Sequence, residues 1–499
     1  MQQKEKDLWK AEIQALKAQY YFELMRRYGP IILVPENIDA AASIEVMQQP
    51  RRPIDEVVKA IVDLCDLAIP KLPYYREQEQ NHYAYFSKEG AAALKAMALL
   101  YAASPLFNGN KMMADMKNKQ GERLFPEYDR NKWKTAAEAA DEALKIAEEG
   151  GKELVQGSTV WPTSMLNTIR NIQQSCLDYD YANKEALLCV RHQRFTPPVF
   201  YHFRVPEEDQ DYYDQFRIGG FGASMKMVEM FYTEHGLPLS EDKQWVASRY
   251  EKSRENDERY RNVVPLNEEV LSLHLRREPR FYADIAAHGT YWYKKTVGGG
   301  NEPLYCNCLQ GQRMGTSSKN YDIQTPQNLT GYYIKKYAPL AFADGTHAGM
   351  ENGTGNLMIS NHQDYVQVRY ADVLLMAAEL GSPNAQQYFN MVRERAFKDK
   401  DGNTSPLYTE KQATKENIMR ERQFEFAFEG INYYDLLRQG IDYAAAQLAK
   451  QNGVEVMTAG APATISFNPQ NFINKAGLMM VNTNQILLSD GVLKQNPGW

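Results

Sequence analysis

The chain has 499 residues, 43% hydrophobic and 24% charged, with a net charge of −6. Those proportions suit a folded globular protein and exclude wholesale disorder. An acidic balance without a Lys/Arg cluster gives no footprint for nucleic acid, and no run of 18 apolar residues exists to span a membrane.

Length alone suggests about three domains. Met1 leads directly into a helix from about residue 5, with no charged n-region, apolar h-region or cleavage site. That start fits either a cytoplasmic protein or a chain whose export signal is not part of this sequence. Trp9, Ile13, Leu16, Tyr20 and Leu24 form one apolar stripe, expected to be buried, and the helix closes before Gly29-Pro30. A second helix opens at Pro53 as an N1 proline, with Asp55 and Glu56 at the positive end of its dipole. Its stripe is Ile54, Val57, Val58, Ile61, Leu64, Cys65 and Ala68, where Cys65 is a small core residue. The next pair carries Ala93, Met97, Leu100 and Ser104, then Trp133, Ala137, Ala140, Leu144 and Ala147.

Residues 150–365 lose this periodicity. They are rich in Gly, Pro and aromatic clusters (Phe195, Phe200, Tyr201 and Phe203; Tyr212, Tyr213 and Phe216). One helix is expected at about Ser224–Tyr232, short strands near 187–191, 291–295 and 331–337, and loops at Gly298-Gly299-Gly300 and 343–356. Helix pairs then resume. Val373, Leu374, Ala377 and Ala378 stop at Gly381, Ser382 caps, Pro383 opens, and Ala385, Phe389, Val392 and Ala396 follow. A fourth pair runs from near Thr414 to about residue 447.

Within it, Arg420-Glu-Arg-Gln-Phe-Glu-Phe-Ala-Phe-Glu-Gly-Ile-Asn-Tyr-Tyr-Asp-Leu-Leu-Arg438 is the most telling stretch. Phe424, Ala427, Phe428 and Ile431 fall on one helical stripe, and Glu425 and Glu429 lie four apart within reach of Arg422 and Arg438. The segment is expected to be a structural staple. Alanine-rich faces allow close helix approach, as in tetratricopeptide arrays, although no strict 34-residue period is present. The expected fold is therefore mostly α, an α-solenoid of four helix pairs. Residues 1–149 and 366–447 form the scaffold, 150–365 a loop-rich ligand-presenting insert, and 448–499 an extension packed on it.

Several segments now match one family. They are, in order, Tyr20-Tyr-Phe-Glu-Leu-Met-Arg-Arg-Tyr-Gly-Pro30 and Lys88-Glu-Gly-Ala-Ala-Ala-Leu-Lys-Ala-Met-Ala-Leu-Leu-Tyr-Ala-Ala-Ser-Pro-Leu-Phe-Asn108. Met227-Val-Glu-Met-Phe-Tyr232, Arg277-Glu-Pro-Arg-Phe281 and Tyr332-Tyr-Ile-Lys-Lys336 follow. Arg369-Tyr-Ala-Asp-Val-Leu-Leu-Met-Ala-Ala-Glu379, the staple segment and Gln495-Asn-Pro-Gly-Trp499 complete the series. Together they resemble the SusD-like (SusD/RagB) outer-membrane nutrient-binding lipoproteins. The resemblance implies a tetratricopeptide-like scaffold and a cell-surface, non-catalytic protein that passes oligosaccharide, or in some members peptide, to a SusC-like TonB-dependent transporter. It also implies an export signal, a lipid-bearing cysteine and further helical sequence ahead of Met1, with the lipid as the sole membrane attachment.

Stacking on a neutral glycan needs flat apolar rings, and burying roughly 80 Å² per ring face is worth about 2 kcal/mol. Association costs at least ~4 kcal/mol, so two or three rings suffice for a weak transport-type site. The best-placed rings are Tyr291, Trp292, Tyr293, Tyr305 and Tyr321 in the insert, with Trp161 in a Pro-containing loop and Tyr74-Tyr75 after Pro73. Strand alternation nevertheless puts Trp292 opposite Tyr291 and Tyr293, so one side packs inward. Asn301, Asn307, Gln310 and Asn320 could supply contacts to hydroxyls.

Evidence for catalysis is thin. Glu425 and Glu429 have the spacing of a retaining glycosidase pair, but neighbouring arginines would keep both ionised. Ser240-x-x-Lys243 lacks its companion motifs, and no His-Glu-x-x-His, Walker or Gly-x-Gly-x-x-Gly pattern occurs. Five cysteines, an odd number, argue against a disulfide framework. Cys306-x-Cys308 lacks the partners for four metal ligands, and Asp344, Asn352 and Asn356 lack the spacing of a calcium loop. No cofactor is expected.

Overall fold

In the computed structural model the described residues are 2–34, 38–39, 41–78, 85–178, 183–190, 222–244, 249–295, 301–309, 330–336, 364–398, 403–449, 452–457, 462–466, 479–489 and 492–496. Outside them lie Gln310, Asn320 and Tyr321, the aromatic runs at 195–203 and 212–216, and the expected loops at 298–300 and 343–356.

Helix α1 (Gln3–Tyr28) reverses the expectation for its faces. Trp9, Ile13, Leu16, Tyr20 and Leu24 point outward, Ile13 being 63% and Tyr20 61% exposed. The buried face carries Ala11, Ala15 and Ala18, followed by Tyr21, Phe22 and Met25. Three alanines let α1 lie close against the next long helix, and that approach decides the face more than side-chain bulk does. Ile13→Lys should therefore change stability by less than about 0.5 kcal/mol. Ala15→Leu should cost about 1–3 kcal/mol by overpacking, and urea unfolding of both variants measures the contrast.

A single turn, α2 (Ile44–Met47), precedes α3 (Ile54–Ala68). Here the expected stripe is the buried one, with Leu64 only partly covered. Pro53 sits one position earlier than expected, at the N-cap. Helix α4 (Lys88–Ala103) is capped by the Ser87 hydroxyl, which accepts from the Gly90 amide, and is buried on nearly all sides. Helix α5 (Asn131–Glu149) buries Ala136, Ala139, Ala140, Ala143, Leu144 and Ala147. Each helix packs on the next, α1 on α3, α3 on α4 and α4 on α5, as in an α-solenoid.

The insert has its own core. Helix α6 (Ser164–Ser175), capped by the Thr163 hydroxyl, leads into strand β1 (Leu177–Asp178) and then β2 (Ala186–Val190). Helix α7 (Met225–Met230) lies within the expected 224–232 span, and the Ser224 hydroxyl caps it by accepting from the Met227 amide. A short hairpin, β3 (Lys252–Arg254) with β4 (Glu269–Leu271), precedes α8 (Pro279–Asp284), which packs on α6. Strands β5 (Ile285–Ala286), β6 (Tyr291–Lys295), β7 (Asn301–Tyr305) and β8 (Tyr333–Ile334) follow. Trp161, Ile169, Phe231, Tyr232, Phe281 and Tyr332 belong to one buried cluster.

Strand β9 (Asp364–Arg369) returns the chain to the scaffold. It is the centre of an antiparallel β1-β9-β2 sheet, with Leu177 opposite Tyr365 and Ala186 opposite Arg369. Helix α9 (Tyr370–Glu379) packs on α5, on α10 (Ala385–Arg395) and on α11 (Lys415–Glu425). Ser382 does not cap at the expected place: its hydroxyl accepts from Asn384 and donates to Asp141, and α10 starts two residues after Pro383.

The staple segment is not one continuous helix. α11 ends at Glu425, Phe428 (φ 66°) and Gly430 (φ 80°) adopt left-handed backbone, and α12 (Ile431–Arg438) starts a new direction. Phe424 and Ala427 enter the insert core, whereas Ile431 packs on the scaffold core. The expected stripe is thus split between two cores, which the break joins. Helix α13 (Ile441–Ala449), hairpin β10 (Asn452–Met457) with β11 (Pro462–Ser466), and α14 (Thr483–Leu488) complete the elements. All five cysteines are free and buried.

Candidate ligand site

Insert and scaffold meet in a lattice of buried charges. Arg369 donates to Glu185, Glu425 (3.2 Å) and Glu429 (2.8 Å), and Arg395 donates to Glu185 (2.7 Å) and Glu425. Arg280 reaches Glu278 (2.8 Å), Glu421 (2.6 Å) and Glu425 (3.1 Å), and Lys336 reaches Glu429 (2.7 Å). The partners of Glu425 and Glu429 thus come from distant segments rather than from Arg422 and Arg438. Arg422 is engaged by Asp372 and Asp435, and Arg438 by Glu379 and Asp435. Burial pushes the Glu425 carboxyl up, but Arg395, Arg369 and Arg280 overcome it and hold it well below the usual range. Glu429 is held down likewise, by Arg369 and Lys336 against burial. Neither carboxyl can deliver a proton to a leaving group at neutral pH, so this pair lacks the acid that glycoside hydrolysis requires.

The nominated rings divide into two groups. Strands β6 and β7 form a hairpin that pairs Tyr291 with Tyr305, Trp292 with Leu304 and Tyr293 with Pro303. Alternation turns Trp292 inward to 1% exposure, in a cluster with Ala286, Cys306, Cys308 and Tyr333. Tyr293 is buried, its hydroxyl donating to the Asn262 carbonyl, and the buried Trp161 ring meets it edge-on at 5.1 Å. Tyr75 is also buried, with the Lys152 ammonium 3.6 Å from its ring centre. These four rings are packing elements, because the apolar faces a glycan would need are already covered by protein.

Tyr291 and Tyr305 remain half-buried at the hairpin surface, 6.4 Å apart at 71°. His288 lies edge-on to Tyr305 at 5.9 Å, and Asn307 is half-buried two residues beyond it. Burial, then Glu268, raises both phenol pKa values, so each hydroxyl stays neutral and can donate. Burial, then Lys252, pulls His288 down to about 4, leaving a neutral imidazole. The hairpin is held from beneath: Lys335 donates to the Tyr291 carbonyl (2.9 Å), and the Tyr291 amide donates to Val263 (2.8 Å). Gly289 makes its entry turn at φ +82°, where an added Cβ would lie 2.5 Å from Val270 Cγ1. Gly289→Ala should therefore cost about 1–3 kcal/mol from strain and overlap, seen as a lower urea midpoint.

A cleft of ≈ 650 Å³ lies beside residues 258–260. The first turn of α6, Tyr260, Pro279, Phe397 and residues 403–406 line it. Its walls come from six separated segments, and only the Thr163 cap leaves a local mark in the sequence. Among the described residues, no group of three or more His, Cys, Asp or Glu could hold a metal ion.

Helix pairs stacked as a solenoid and joined through a charged lattice to an aromatic insert define a helical repeat scaffold. The SusD family profile matches residues 193–499, more than half of the chain, and the chain belongs to that family. It is 44% identical over 88 residues to SusD-like protein P25 of Formosa agariphila, a match covering 16% of each. It is 28% identical over 163 residues to SusD-like protein P2 of the same organism, covering 31% of this chain and 29% of that one. The matched region thus spans less than a third of either curated relative. The solved structure of BT4246 superposes with a TM-score of 0.77 at 24% identity, over 100% of this chain and 85% of that one. A SusD-like protein (BF3747) from Bacteroides fragilis gives 0.68 at 21%, over 100% and 81%. A SusD-like carbohydrate binding protein (BF0978) from the same species gives 0.54 at 17%, over 92% and 72%. At these identities the structures establish the shared fold, mostly helical and tetratricopeptide-like.

Proposed function

We propose that this protein is a cell-surface glycan-binding lipoprotein that captures oligosaccharide without cleaving it and passes it to a SusC-like TonB-dependent transporter of the outer membrane. Membership of the SusD family carries this reading, and the relative named as carbohydrate binding supports the ligand class. Tyr291 and Tyr305 are the described rings that supply it with a contact surface. Each ring face is worth about 2 kcal/mol when covered. Isothermal titration against a neutral glycan panel should show at least tenfold weaker binding for Tyr291→Ala and for Tyr305→Ala, with the fold intact. Unchanged affinity in both rejects the assignment.

A second reading, a transporter-partner or peptide-binding scaffold with little glycan contact, is favoured by the four packed rings and by the outward apolar stripe of α1. It predicts no heat with any glycan. Overnight incubation with polysaccharide should release no reducing ends under either reading.

A further inference from the structure

We propose that the cleft beside α6 is a second saccharide site, separate from the tyrosine hairpin, that takes a short neutral oligosaccharide. The inference rests on the glycan-binding reading and extends it to a place that reading does not use. Its ≈ 650 Å³ falls in the range of ligand-sized sites, roughly 300–1,000 Å³. Met165, Tyr260, Pro279, Phe397 and Pro406 give it apolar walls, which suit the CH faces of sugar rings.

The charged groups of the lining are largely engaged within the protein. Glu234 accepts from Arg259 (3.0 Å) and from the Tyr260 hydroxyl (3.1 Å), and Glu258 pairs with Arg261 (2.9 Å). Arg277 spends its donors on the carbonyls of Val228, Phe231, Tyr232 and Leu273. In contrast, the side chains of Ser164, Lys398 and Thr404 line the cleft and make no hydrogen bond among the described residues. Two hydroxyls and one ammonium over apolar walls match a ligand that offers both hydroxyls and ring faces. Among the described lining residues Lys398 carries the one charge without a partner, and the polar groups beside it leave no wholly apolar chamber for a lipid. Where one glycan reaches both sites, each can be weak while the whole is retained.

Met165 supplies a direct probe, as one of 20 methionines that methyl-13C labelling makes visible. Its signal is assigned by Met165→Leu, and maltotriose, cellotriose, xylotriose, laminaritriose and mannotriose are titrated in turn, with calorimetry in parallel. At least one trisaccharide should move the Met165 methyl saturably, in the wild type and equally in the Tyr291→Ala/Tyr305→Ala variant. Thr404→Trp, at an exposed rim position, should weaken that response at least tenfold while the scaffold methyls of Met97 and Met376 stay in place. A stationary Met165 methyl while a trisaccharide gives binding heat overturns the cleft site and leaves the hairpin reading standing. No heat and no shift with any of the five overturns the glycan reading, and the cleft site with it.

Discussion

Arg369→Leu is expected to cost about 3–5 kcal/mol or to abolish folding, read as the urea midpoint or as loss of soluble protein. Arg369 is 1% exposed and contacts three carboxylates, Glu185, Glu425 and Glu429. Removing it strips one partner from each of these buried charges, leaving Arg395 on Glu185, Arg395 and Arg280 on Glu425 and Lys336 on Glu429, so three buried carboxylates lose compensation at once. The effect should reach beyond the local pairing, because Glu185 belongs to the insert side while Glu425 and Glu429 flank the break between α11 and α12. A surface pair such as Lys59 with Asp63 (2.6 Å) is the control. Disrupting an exposed i,i+4 pair should cost at most about 0.5 kcal/mol. Equal stability of Arg369→Leu and wild type would show that the lattice does not hold the two halves together.

Asp284→Asn should do the opposite and leave the protein as stable or more stable at pH 8. The lattice contains six carboxylates (Glu185, Glu278, Asp284, Glu421, Glu425 and Glu429) against five cations (Arg280, Lys336, Arg369, Arg393 and Arg395). Asp284 is the odd one out: neither of its oxygens has a hydrogen-bond partner, and the Lys336 ammonium stands 3.6 Å away. Burial raises its carboxyl to about 7, with Lys336 opposing. A folded pKa above the unfolded one means that the folded state binds the extra proton. The stability this group lends is therefore complete below its unfolded value of about 3.9 and is lost as pH rises through about 7. The loss is of the order of a few kcal/mol, and an amide removes it. Urea midpoints from pH 5 to pH 8 should fall in the wild type and stay flatter in Asp284→Asn. Parallel curves would assign the proton elsewhere. Glu425 and Glu429 act in the other direction: their depressed values give stability above the usual carboxylate range that is lost in acid.

Much of the scaffold is legible in the sequence because its helices bury one face. The stripe of α3 and the alanines of α5 recur at helical spacing, and those positions are largely the covered ones. In α1 the same rule selects the wrong face, because hydrophobic bulk and close approach lie on different sides and the alanines win. The staple was recognisable as structural, but its partners were not, since Arg369, Arg395, Arg280 and Lys336 come from segments up to about 150 residues away. At the candidate site, strand alternation foretold that Tyr291 and Trp292 would part company. It could not foretell that Tyr293 would be taken up by Trp161 and the Asn262 carbonyl. The cleft was illegible for the same reason, being made by the meeting of distant loops.

The sequestered thiols give the molecule an internal clock. Burial lifts Cys65 to about 12 and Cys306 to about 11, so in the intact protein an alkylating reagent meets neither an accessible sulfur nor a thiolate. Labelling then reports opening events alone, and the positions separate them: Cys65 marks the solenoid, Cys176 the end of α6, Cys189 the central sheet, and Cys306 and Cys308 the core beneath the hairpin. The order in which these sulfurs react would reveal whether the two halves come apart together or in turn.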